Sequence, residues 1–346
     1  VTTFVDYSSA TDKKRSLDVG SHASPEGLRT VIVIPAYNEE AAIGGTIAAY
    51  QHAFPNARIV VVDNNSSDQT GKVAKEHLRS ERDLFLFEPR QGKGFAVKRG
   101  LARIEADIFV MTDGDMTYPA TELRGLYEQM LEGRNDMIVG DRQAGGTYAQ
   151  QNTRFGHSIG NRILTSVISR LAGQKYNDVL SGARIMSAPF VEHLDVRSEG
   201  FQLETEINIV AAHLRADVLE VPIAYEERPE GSESKLSTFH DGWRILSFAM
   251  LNWVAFLPMH FFVLVAAIGG LSFFILGYRV IGGFLESGWP YTTTAIAAAT
   301  CGIIAAFSFF TGLTLKIVGR NLRRQEIAAF LQRKRIWNQK LDDAGL

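Results

Sequence analysis

The chain has 346 residues, with 36 Lys plus Arg against 38 Asp plus Glu and a single cysteine. That length accommodates one large domain and something smaller, and the charge balance argues against a nucleic-acid binder. The lone thiol, Cys301, excludes an internal disulfide framework and a cysteine-rich metal site. Residues 1–27 mix Ser, Thr, Asp, Lys and Gly without periodicity, lack the apolar core of a signal peptide, and read as a flexible arm.

Val31-Ile32-Val33-Ile34 reads as a buried strand ended by Pro35, after which Asn38-Glu39-Glu40 opens a helical pattern through Ile43 and Ile47. Ile59-Val60-Val61-Val62 repeats the theme and runs into the polar loop 63–68, which is suited to capping a helix near Thr70. Leu84-Phe85-Leu86-Phe87 is a third short strand, followed by Gln91-Gly92-Lys93-Gly94 and a helix through Leu101. The fourth, Ile108-Phe109-Val110-Met111, delivers Asp113-Gly114-Asp115 to its carboxyl end. A helix over 123–130, a strand over 137–140 ending at Asp141-Arg142, a polar loop over 145–152 and helical spacing over 155–171 follow. Residues 190–194 read as a brief helix, residues 200–206, with Glu204 and Glu206, as the entry to a longer one reaching about Leu214, and 218–225 as a strand.

Short apolar strands alternating with helices predict an α/β domain over 28–238, a mostly parallel, Rossmann-like sheet covered by helices on both faces. Ligands of such sheets lie beyond the carboxyl ends of the strands, which is where Tyr37, Asp63, Lys93, Asp113 and Asp115 fall. Two carboxylates on a tight turn, with Gly114 allowing close approach, suit Mg²⁺ or Mn²⁺ with positions left for phosphate oxygens. Asp63 could accept hydrogen bonds from ribose or base, or cap the next helix. Lys93 reads as a point charge for phosphate or a plain exposed lysine, and no Walker A ending follows it. Arg142, Arg184, Arg228 and Lys235 are candidates for an anion site, since a guanidinium fork matches phosphate. No nucleophile elbow or zinc-spaced histidine cluster is present, so acyl transfer and zinc hydrolysis have no support.

The rear of the chain has a different character. No residue between Arg244 and Arg279 carries a formal charge except a protonated His260, which is more than one bilayer crossing needs. This predicts an interfacial amphipathic helix over 239–258 and a two-helix transmembrane hairpin within 259–318, its helices at 259–281 and 291–315. A buried hairpin in a soluble protein is the alternative. Lys235 and Arg244 before it, and Lys316, Arg320, Arg323 and Arg324 after it, predict an integral membrane protein whose front domain and C-terminus are both cytoplasmic. Residues 319–346 read as a basic amphipathic helix whose Leu322, Ile327, Phe330 and Leu331 would lie on anionic membrane lipids, or as a solvated coiled tail.

The stretches 33–39, 62–68, Asp113-Gly114-Asp115 and Asp178-Val179-Leu180-Ser181-Gly182 together resemble the family 2 inverting glycosyltransferases of GT-A fold. More narrowly, they resemble the polyprenyl-phosphate and dolichyl-phosphate sugar transferases with two C-terminal spans. The resemblance covers roughly residues 30–235. It implies a nucleotide-sugar donor, UDP- or GDP-linked, contacted by Pro35, Ala36, Tyr37, Glu39, Asp63, Asn65, Lys93, Gly114, Arg228 and Lys235. It further implies that Asp113 and Asp115 hold the metal, that Arg142 faces an acceptor polyprenyl phosphate of undecaprenyl or dolichyl type, and that Glu204 is a catalytic-site carboxylate. Related proteins carry a second arginine after the serine matching Ser158, where this chain has Ile159; Arg154 or Arg162 are the compensating candidates. A processive polysaccharide synthase and a non-catalytic nucleotide-sugar scaffold are the rival readings, and a homo-oligomer is left open.

Overall fold

The computed structural model describes residues 27–143, 165–166, 169, 175–200, 202–231, 258–289 and 291–346. The chain divides into two compact units, Val1–Leu246 with Ile327–Leu346, and Ser247–Glu326. All of the expected arm over 1–27 except Gly27, the loop and most of the helix over 145–171, and the interfacial helix up to residue 257 lie outside the described residues.

In the first unit, β1 (Thr30–Ala36), β2 (Arg58–Asp63), β3 (Leu84–Phe87) and β4 (Ile108–Met111) alternate with α1 (Ile43–Ala53), α2 (Thr70–His77) and α3 (Lys93–Ala102). Then come α4 (Ala120–Gly133), β5 (Met137–Asp141), β6 (Arg184–Ser187), α5 (Ala188–Glu192), α6 (Leu203–Leu214) and β7 (Val218–Pro222). The seven strands are ordered β3-β2-β1-β4-β6-β5-β7. Strands β1, β2, β3 and β4 pair in parallel, as do β5 and β7. The departure from a parallel sheet is β6, which inserts antiparallel between β4 and β5, with Val110 opposite Ile185 and Ile138 opposite the same residue.

Burial on both faces explains the unbroken apolar runs. Ile32, Ile34, Ile59, Val61, Ile108 and Val110 pack on one side with α1 and α4, while Val31, Val33, Val60, Val62, Phe109 and Met111 pack on the other with α3 and α6. Pro35 does not end β1, which continues to Ala36 in register with Asp63. The Val33 carbonyl accepts from Thr112 N, so Pro35, two residues on, turns its missing N–H toward β4, where pairing has already stopped at Met111.

The second unit holds α7 (Pro258–Ser287) and the first part of α8 (Thr292–Asp343). Both helices are long and apolar enough to cross a membrane. Small residues let them approach: a side chain on Gly269 would meet the Cys301 carbonyl and Ala305, and one on Gly312 would meet Phe262. Two expectations change here. The first apolar helix runs to Ser287 rather than 281, and α8 is unbroken from Thr292 to Asp343, because a lone Gly319 costs about 1 kcal/mol relative to Ala and cannot end so long a helix.

The end of α8 belongs to the first unit, and this corrects the reading of residues 319–346 as a helix laid on lipid. Phe330 is buried among the side chains of one sheet face and stacks edge-on against His193, while Trp337 and Leu341 are buried on the other face. Leu322 and Leu331 stay exposed, so the apolar stripe splits and its Phe330 side is covered by protein.

Candidate active site

Four loops at the carboxyl ends of β1, β2, β3 and β4 build the site, and three of them hold a residue other than glycine in left-handed backbone. Asn38 (φ 53°), Asn65 (φ 60°) and Met116 (φ 62°) follow β1, β2 and β4. Asparagine tolerates that conformation through local hydrogen bonds, whereas Met116 carries its steric cost outright. The loops are stitched together by short polar side chains. Asn38 N donates to Ser66 Oγ at 3.0 Å, Ser67 N donates back to Asn38 Oδ1 at 2.8 Å, and Glu39 N donates to Thr70 Oγ1 at 2.7 Å. Asp63 Oδ1 accepts from Ser66 N at 3.1 Å, so this carboxylate folds its own loop, while Asp68 accepts from the first N–H of α2.

Asn64, which sequence reasoning passed over in favour of the exposed Asn65, ties the β2 loop to the β3 loop. Its Nδ2 donates to the Arg90 carbonyl at 2.6 Å and its Oδ1 accepts from Gly92 N at 2.7 Å. The glycines flanking Lys93 have a structural task that the sequence did not disclose. A side chain on Gly92 would overlap the Glu199 carbonyl and one on Gly94 the Ser198 carbonyl, and Gly94 N donates to Glu199 O at 3.0 Å. The close backbone partner is therefore the segment entering α6. Glu206 anchors the same segment, accepting from Arg197 N and Ser198 N at 2.9 Å and from Ser198 Oγ at 2.6 Å.

Lys93, at the start of α3, ends between two carboxylates, 2.5 Å from Asp113 Oδ1 and 2.6 Å from Glu204 Oε1. Burial alone would lower its pKa, but Asp113 and Glu204 hold the ammonium well above the usual lysine range, so it stays charged. Asp115 Oδ1 accepts from Thr117 N and Oγ1, at 3.1 and 2.6 Å. Its Oδ2 meets Arg228 Nη2 at 2.6 Å, and Arg228 Nη1 lies 3.7 Å from Glu39. Burial and the charge of Asp113 raise the Asp115 carboxyl above its ordinary range, opposed by Arg228 and Thr117. Gly182 lets its loop close on Asp113, because a side chain there would come within 2.7 Å of Asp113 Oδ2.

Arg142 is buried and gripped bidentately by Asp178, with Nε at 2.7 Å and Nη2 at 2.9 Å, and its guanidinium lies 5.6 Å from the Tyr225 ring centre. Burial would raise the Asp178 carboxyl, but Arg142 holds it below the usual range. Arg184 leaves the list of anion ligands. It is fully buried in β6 and donates to the Ser181, Val179 and Glu204 carbonyls and to Asn208 Oδ1, so it braces the loop before β6 against α6. Lys235, Arg154, Arg162 and the Ser158-Ile159 position lie outside the described residues.

The glycosyl transferase family 2 model matches residues 31–194. The chain is 32% identical over 219 residues to glycosyltransferase AglJ of Haloferax volcanii, covering 61% of this chain and 67% of that one. It is 30% identical over 211 residues to dolichyl-phosphate hexose transferase of the same organism, covering 61% and 88%. The chain belongs to glycosyl transferase family 2. Its GT-A-like fold is that of glucosyl-3-phosphoglycerate synthase from Mycobacterium tuberculosis, solved with Mn²⁺, UDP-glucose and phosphoglyceric acid, at 19% identity and a TM-score of 0.50 over 70% of this chain and 85% of that one.

Among the described residues no group of three or more His, Cys, Asp or Glu side chains is placed to hold a metal ion, so a divalent cation at this turn would have two protein carboxylates and take its other ligands from phosphate oxygens or water. Asp113 and Asp115 present hard oxygens one glycine apart, the donor type that Mg²⁺ and Mn²⁺ take, and burial, then the charge of Asp113, disfavours the Asp115 carboxylate against the opposing charge of Arg228.

Proposed function

We propose that this glycosyltransferase moves a sugar from a UDP- or GDP-linked donor to a polyprenyl phosphate, inverting the anomeric centre. One observation carries the reading: a carboxylate turn flanked by Lys93 and Arg228 occurs in the same chain as two helices long and apolar enough to cross a membrane. The likeness to a dolichyl-phosphate hexose transferase supports the acceptor class. Lys316, Arg320, Arg323 and Arg324, following the apolar part of α8, support a cytoplasmic C-terminus.

In this reading Pro35, Ala36, Tyr37, Glu39, Asp63 and Asn65 line the nucleoside end, and Lys93 and Arg228 face the diphosphate. Mg²⁺ or Mn²⁺ held by Asp113 and Asp115 would supply neutralisation of the departing diphosphate. A phosphate oxygen of the acceptor attacks the anomeric carbon, the bond from that carbon to the donor diphosphate oxygen breaks, and the nucleoside diphosphate leaves with the electron pair. The attacking oxygen is already anionic, so no side chain has to take a proton from it. The protein lowers the repulsion between two phosphate groups, with Arg142 oriented by Asp178 toward the acceptor. Glu204 keeps Lys93 charged and fixed beside Asp113.

The test is incubation of membranes containing the protein with labelled UDP- and GDP-sugars, polyprenyl phosphate and Mg²⁺ or Mn²⁺, followed by lipid extraction. A lipid-phosphate-linked monosaccharide of inverted configuration is expected. Its absence across all donors, while donor hydrolysis or transfer to a soluble acceptor persists, would reject the acceptor assignment.

A further inference from the structure

Both carboxylates of the Asp113-Gly114-Asp115 turn already carry a basic side chain, and the two pairings differ in how firmly they are held. Lys93 is fixed from two sides, by Asp113 and by the buried Glu204, at the start of a helix whose first turn is pinned to the Ser198–Glu199 backbone. Arg228 instead belongs to a stretch over 223–229 that has no helix or strand of its own, and its guanidinium spans Asp115 at 2.6 Å and Glu39 at 3.7 Å. Its side chain retains about a quarter of its exposure. The two oxygens of Asp115 are divided between these partners: Thr117 takes Oδ1 through its N–H and hydroxyl, and the Arg228 guanidinium takes Oδ2, so a cation binding through Oδ2 would compete with Arg228.

We infer that Arg228 is a built-in counterion for Asp115 that a divalent cation must displace, and that the freed guanidinium then turns to the donor diphosphate. Metal and nucleotide binding are thereby coupled through one side chain. The cation gains Asp115 only when Arg228 has another anion to meet, so each ligand strengthens the other. An arginine suits this exchange because its planar fork matches carboxylate and diphosphate equally well. The inference rests on the reading of Asp113 and Asp115 as metal ligands and is independent of which sugar or acceptor is used.

The experiment is Mn²⁺ binding to the detergent-solubilised full chain, followed by the electron paramagnetic resonance signal of free Mn²⁺, with and without UDP or GDP. Removing a competing charge from a largely desolvated carboxylate predicts that Arg228→Gln binds Mn²⁺ alone roughly tenfold more tightly than wild type. The same variant is expected to lose most of the tightening that the nucleotide brings. Arg228→Lys keeps a cation without the fork, and its Mn²⁺ affinity should fall between the two; thermal melting reports that each variant is folded. A folded variant that binds Mn²⁺ alone no better than wild type overturns the exchange and leaves the metal reading standing. Wild-type protein that takes up no Mn²⁺ in either condition removes both.

Discussion

At the amino ends of the sheet, Asp83, Asp107 and Asp136 each stand one residue before a strand or at its threshold, and each accepts an N–H from a neighbouring strand's entrance. The donors are Ile59, Arg29 and Asp217, at 3.0, 2.8 and 2.7 Å. A basic side chain completes each arrangement, Arg79 for the first and, from the end of α8, Lys340 and Lys334 for the others. At the carboxyl ends, Asp113 and Glu204 meet the tip of Lys93, and Asp115 meets Arg228. The difference lies in what holds the anion. A backbone N–H in a strand register cannot leave without opening the sheet, whereas a long side chain can give way to a ligand. The same residue type is architecture at one end and a replaceable pairing at the other.

That contrast can be broken most severely at the amino end. Trp337 and Leu341 fill one core and Phe330 the other, so the end of α8 is part of the domain's interior. Trp337→Ala is expected to cost about 3–5 kcal/mol, as for other buried aromatic truncations, with transfer per folded molecule little changed. Thermal melting in detergent checks it. Melting indistinguishable from wild type would return this segment to the lipid surface.

Asp115→Asn tests the opposite end. Its partners are Thr117 and Arg228, so the substitution should leave melting nearly unchanged while lowering transfer by roughly 100-fold or more, the scale of a lost metal-ligand charge. Initial rates at saturating donor and acceptor decide it, and wild-type turnover would make this turn as structural as Asp107.

Between the extremes stands the Arg142–Asp178 clamp, a buried pair within the site. The folded Asp178 carboxyl is held below its ordinary value, so the unfolded chain binds that proton more readily than the native one. The clamp therefore stabilises fully at neutral and mildly acid pH, and its contribution fades only as pH falls below the usual carboxylate range. The melting difference between wild type and Asp178→Asn should stay constant from neutral to mildly acid pH and narrow below it. A difference that vanishes already in mildly acid solution would mean that the pair is not formed.

The alternating strands were legible because each is buried on both faces and therefore reads as an apolar run, and the acidic turn was legible because it follows one. Strand β6 was not, since its four residues include Arg184 and its pairing depends on partners about 45 and 75 residues earlier in the chain. What Gly92 and Gly94 admit was not legible either, because a glycine shows a permitted approach without naming what approaches, here the Ser198–Glu199 backbone. The end of α8 failed for a related reason: an apolar stripe states that a face is covered, and lipid and protein leave the same pattern. The signal that separates them lay further along, where Trp337 and Leu341 continue the stripe of Phe330 at spacings of seven and four through Lys334 and Lys340.

The smallest expected effect concerns strain. Arg134 and Arg215, the other two non-glycine residues with positive φ among the described residues outside the site, terminate helices, where that conformation is ordinary. Met116 holds it inside the acidic turn, between Asp115 and the Thr117 that bonds it. Substituting alanine and glycine separately removes the same thioether contact with Gly45, so their difference isolates the backbone. Met116→Gly should be more stable than Met116→Ala by about 1 kcal/mol, because only glycine occupies that region without a steric cost, and the gain exceeds its larger loss of freedom on folding. Paired melting curves measure it. Alanine matching or exceeding glycine would show that the turn relaxes out of the left-handed region in solution, and that the acidic end of the sheet is held no more tightly by its backbone than by its exchangeable side chains.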